Sequence, residues 1–78
     1  MRLILSPITV RLDGSKPVQI LYRKRWYTIE KVVDFWVVQD SWWKGGRTRH
    51  YIQALTDSGY VEIYRDEKRQ WILSRMWD

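Results

Sequence analysis

With 78 residues the chain is one domain, and a domain this small buries only roughly 60% of its unfolded surface. It contains no cysteine, which excludes a disulfide scaffold and cysteine-ligated metal. Its 14 Lys and Arg against 9 Asp and Glu leave +5, a balance that favours polyanionic partners such as nucleic acid.

Met1-Arg2-Leu3-Ile4-Leu5 is apolar but too short for a signal peptide or a membrane span, and Pro7 is expected to break it. No apolar run of about 18 residues occurs elsewhere. The expectation is a cytoplasmic protein with no membrane partner, a single β domain over 1–78, and 1–7 as a possible extension. Ile8, Val10 and Leu12 then alternate with Thr9 and Arg11, the period-two pattern of a half-buried strand. Asp13-Gly14-Ser15-Lys16-Pro17 is turn chemistry, and Val18, Ile20 and Tyr22 alternate again. Together they predict a hairpin, followed by a tight basic turn at Arg23-Lys24-Arg25.

The segment from Trp26 to Gln39 begins with alternation and then slips, since Val32, Val33, Phe35, Trp36, Val37 and Val38 are all apolar. Two readings compete. Ile29, Val32, Val33, Trp36 and Val37 fit helical spacing. The density of β-branched and aromatic residues favours a strand, with a bulge near Glu30-Lys31 to switch the inward face.

Gly45-Gly46 supplies a positive-φ corner. Beyond it, Thr48, His50, Ile52 and Ala54 share one face, and Arg47, Arg49, Tyr51, Gln53 and Leu55 the other. Thr56-Asp57-Ser58-Gly59 is a turn. Tyr60 to Tyr64 alternates most cleanly, with Val61 and Ile63 inward. Arg65 to Gln70 is a polar turn, and Trp71 to Trp77 a last strand. The whole predicts an all-β fold, an antiparallel meander of five to six strands curled into a small barrel-like sheet of the SH3 or OB kind. Val10, Ile20, Ile29, Ile52, Val61 and Ile63 are its expected core.

The sequence offers little for catalysis. One histidine, His50, has no serine placed beside it, and the acid pairs Asp34 and Asp40, or Asp66 and Glu67, read as solvated residues. A lone histidine with scattered acids makes no metal site. The expected function is non-catalytic, with no cofactor. Trp42-Trp43-Lys44-Gly45-Gly46-Arg47-Thr48-Arg49-His50-Tyr51 is acid-free and interleaves rings with cations, as surfaces for single-stranded nucleic acid do. The candidate binding residues are Trp42, Trp43, Lys44, Arg47, Arg49 and Tyr51, joined by Arg23, Lys24 and Arg25. Adjacent residues on a strand point to opposite faces, so one of Trp42 and Trp43 belongs outside.

The Trp42-Trp43 pair, the Tyr64-Arg65-Asp66 end of a strand and the closing Met76-Trp77-Asp78 carry a resemblance. Over roughly residues 8 to 78 the chain resembles a family of short bacterial proteins known only as a domain of unknown function. Members are often encoded near error-prone DNA polymerase and damage-response genes. The closing Met76-Trp77 stands where that family has Val-Tyr. The resemblance implies an accessory of DNA metabolism whose partner is single-stranded nucleic acid or a replication or repair protein. It assigns no catalytic residue. The alternative expectation is a protein-interaction module that uses exposed Trp and Tyr anchors.

Overall fold

The computed structural model of the chain describes residues 2–39 and 45–77. Six strands follow one another: β1 Arg2–Asp13, β2 Lys16–Tyr22, β3 Arg25–Gln39, β4 Thr48–Thr56, β5 Gly59–Arg65 and β6 Trp71–Trp77. Each pairs antiparallel with the next, and β1 closes the barrel against β6. Closure pairs the first strand with the last, so among the described residues an edge stays unpaired only where a strand outruns its neighbour, at the start of β1 and in the second half of β3.

The connections differ in how well their residues suit them. Gly14 sits at φ 64 in the β1–β2 turn. At the β2–β3 turn, Arg23 and Lys24 stand at φ 51 and 65. Hairpin turns that match strand twist require positive φ at both central residues, and Asn-Gly meets that need without strain. At the β4–β5 turn, the Thr56 hydroxyl donates to the Gly59 carbonyl (2.7 Å) and accepts from the Ser58 amide (3.1 Å).

β1 passes through Pro7 instead of stopping there, which corrects the expected break. Residues 2–8 of β1 pair only with β6, and β2 takes over from Thr9. Pro7 therefore removes no ladder bond that β2 needs, and proline is tolerated on such an edge. The register shift between Leu3 and Ser6 coincides with Leu5 at φ 53.

β3 is a strand throughout, so the helical alternative for 29–38 is not adopted. Its pairing with β4 slips between Ile29 and Lys31, where the sequence predicts a bulge, and again between Val32 and Asp34. From Asp34 to Gln39 the register is regular.

The core is Ile20, Ala54, Val61, Ile63, Leu73 and Met76. Val10, Ile29 and Ile52, expected to be largely buried, are only half-buried against it. Each lies just beyond the end of a neighbouring strand. Val10 follows the last β1–β6 pair at Ile8, Ile29 follows the last β2–β3 pair at Thr28, and Ile52 pairs with Phe35 further along that uncovered stretch.

Two stability predictions follow from this geometry. Ile63→Ala empties a fully buried position and should cost about 2–5 kcal/mol. Phe35→Ala, on the same cross-strand row but 75% exposed, should cost less than about 1 kcal/mol. Urea denaturation of both variants checks the pair. Replacing Arg23-Lys24 by Asn-Gly should raise stability by about 1 kcal/mol in the same assay, because left-handed φ costs non-glycine residues roughly that much each.

Candidate nucleic-acid interface

Alternation on β4 turns Arg49, Tyr51, Gln53 and Leu55 outward, as the sequence predicts. Registers across four strands then align Trp36, Tyr51, Tyr64 and Ile72 in one row on the outer face. Trp36 and Tyr51 lie parallel, centroids 5.3 Å apart and planes 4° from each other. Tyr51 and Tyr64 follow at 5.0 Å, tilted by 38°. Such ring pairs contribute about 0.5–1.5 kcal/mol each beyond their buried area.

The Arg49 guanidinium lies 5.0 Å over the Tyr64 ring. Stacking uses the flat face of a guanidinium, and its N–H groups radiate in the plane, the direction from which phosphate oxygens are taken. The ladder thus fixes a cation on the outer face. Tyr51, itself a candidate for base stacking, has one ring face on Trp36 and the other toward Tyr64. Tyr51 thus links Trp36 to Tyr64, the ring that Arg49 lies over.

Arg49 borders a groove of about 180 Å³ between the start of β4 and the β5–β6 turn. Arg47 and Lys68 line it with Arg49, as do Asp66 and Glu67. Arg47 and Lys68 are exposed. The run that is free of acids in sequence thus has two acids brought to it by the fold. Asp66 also organises its turn, because its Oδ1 accepts from the amides of Lys68 and Gln70, both at 2.9 Å. No pattern along β4 signals that neighbourhood.

The Arg23-Lys24-Arg25 turn does not join this corner, contrary to the expectation of a single surface. Arg25 donates from Nη2 to the Ser58 hydroxyl in the β4–β5 turn. Asp57, next to Ser58, lies eight residue steps along the chain from Arg49, about 26 Å at roughly 3.3 Å per step. Arg25 and Arg23 instead rest over Tyr27 and Tyr22, at 4.6 and 5.4 Å. Trp42, Trp43 and Lys44 lie outside the described residues.

The sequence reading passed over Trp36 and Tyr64. Trp36 has no basic neighbour in the chain and Tyr64 only Arg65, and the strand register alone places both near Arg49. His50 stands on the opposite face, paired with Val37 and Arg65, and is exposed. Among the described residues there is no group of three or more His, Cys, Asp or Glu that could hold a metal. None of them forms a helix long and apolar enough to cross a membrane.

The ladder is open to a direct test. A double-mutant cycle with Trp36→Leu and Tyr51→Leu should return a coupling of about 0.5–1.5 kcal/mol in denaturant titrations. A cycle of Trp26→Leu with Tyr51→Leu, whose rings make no pair, should return a value near zero.

Neither the family models, the curated proteins nor the solved structures provide a match to this chain, so its fold and the geometry of this corner carry the functional argument.

Proposed function

We propose that the protein is a small non-catalytic binding module that contacts single-stranded nucleic acid through the outer corner of β4. The observation that supports this reading is the ring ladder ending in Arg49, with Arg47 and Lys68 on the same groove. Arg47, Arg49 and Lys44 take phosphates, and the outward one of Trp42 and Trp43 takes a base. Stacking accepts any base and phosphate contacts read no sequence, so binding has little sequence preference. The setting in DNA metabolism rests on the family resemblance alone.

Arg47, Arg49 and Lys68 line the groove at this corner, whereas the Arg23–Arg25 turn lies at the other end of β4. Oligonucleotide titrations at several salt concentrations should give a log-log slope of about −2 to −3, at about −0.7 per phosphate contact. Arg47→Ala should make the slope shallower by about one contact, whereas Lys24→Ala should leave it unchanged. Alanine at the outward tryptophan should weaken binding without changing the slope. Glu67→Gln removes a negative charge from the groove and should tighten binding. Absence of binding at low salt would replace this reading by the protein-interaction module, which the 75% exposure of Phe35 favours.

A further inference from the structure

β3 has β4 along one edge, but β2 covers its other edge only as far as Thr28. Beyond that point no other strand among the described residues pairs with this edge, and the stretch carries Val33, Phe35, Val37 and Val38, exposed by 47, 75, 56 and 41%. Edge strands are ordinarily protected by lysine, proline, an inward charge or a bulge. Both bulges of β3 lie before Asp34, and from there to Gln39 the strand is regular, free of proline and charged only at Asp34. A run of unpaired backbone groups with apolar side chains is a template for another strand.

We propose that the occupant is a second copy of this chain, joined by antiparallel pairing of the two β3 edges about a two-fold axis at Trp36. Self-complementarity selects both the occupant and the register. With Trp36 opposite the partner's Trp36, the outer-face row runs without interruption through Tyr64, Tyr51 and Trp36 into the same three rings of the partner. On the inner face each Phe35 meets the partner's Val37, so the two most exposed side chains of the free edge cover each other twice. Sliding by two residues one way leaves Trp36 opposite Asp34, and the other way sets Phe35 against Gln39. No like charges meet in the chosen register. β3 itself offers a phosphate-rich partner no cation between Val32 and Gln39, and Lys16 is the one Lys or Arg that lines the groove beside Phe35 and Val37. The pairing also carries one outer face across both copies, with an Arg47–Arg49 corner on each side. It does not depend on nucleic-acid binding.

Sedimentation velocity of the full chain without nucleic acid tests the proposal. The mass should rise from 9.6 kDa toward twice that value as concentration increases, and high salt should not reverse the rise. Phe35→Lys and Val37→Lys sit on exposed positions, so each should keep the circular dichroism of the parent and stay monomeric. Tyr60→Lys, at an exposed site on β5, should dimerise like the parent. Because the chain lacks cysteine, register is read by oxidative cross-linking. A mixture of Phe35→Cys and Val37→Cys proteins should give a covalent dimer containing one of each. Either alone should give little, since the like positions lie beyond the roughly 7 Å that a disulfide spans between Cα atoms. A monomer at every concentration overturns the proposal, as does a dimer that survives both lysine variants. Nucleic-acid titration of a protein that remains monomeric would still decide the role of Arg47 separately.

Discussion

The length of β3 governs the rest of the molecule. It has 15 residues, whereas β2, on one side of it, has seven. β2 can therefore cover only the first part of β3, and the remainder relies on β4 alone. The two bulges accommodate the mismatch by bending the strand where β2 gives out, which also resets the inward face twice. Ile29 and Ile52 lose cover for the same reason, and the row from Phe35 through Ile52 to Ile63 and Leu73 passes from exposed to fully buried. The unpaired edge lies along this overhang, and β4, which pairs with it, carries Arg49 and Tyr51 toward β5 and the β5–β6 turn.

A small barrel has a thin interior, and this chain supplements it with rings and guanidinium groups on the surface. Arg11, Arg23, Arg25, Arg49 and Arg65 each lie within 6 Å of a Trp or Tyr ring. A cation over a ring face is attracted by the ring's quadrupole, so these pairs add to a surface that the thin core cannot stabilise alone. Cross-strand order extends it: Arg11 donates to Gln19 at 2.9 Å, and Arg75 lies 3.8 Å from Glu62, two strand neighbours in register. β5 is covered on its outward side by such neighbours, and Glu62 and Tyr64 are buried although they point away from the core. The same economy serves binding, because an arginine held flat on a ring spends less conformational freedom when it meets an anion.

Local sequence settled the strands, the turns and the first bulge. Alternation of period two locates each inward face, and Gly14, Gly45 and Gly59 adopt the positive φ that their turns require. Those signals act over a few residues, so they can be read without knowing what the strand packs against. The slip after Glu30 is legible in the same way, because an extra residue leaves two apolar positions adjacent. Pro7 misleads for the complementary reason. Its effect depends on whether a strand lies beside it, and that is not written nearby in the chain.

What the tertiary structure alone decided is who meets whom across strands. Sequence placed Arg49 and Tyr51 outward on β4, but the register supplied Trp36 and Tyr64 as their neighbours. The fold brought Asp66 and Glu67 to a stretch that contains no acid. It carried Arg23, Lys24 and Arg25 to the far end of the barrel, although the chain offers no sign of that distance. Charge and hydropathy are properties of residues and survive in a string of letters. Adjacency in a closed sheet is set by shear, strand length and bulges acting together, and only the assembled barrel fixes it.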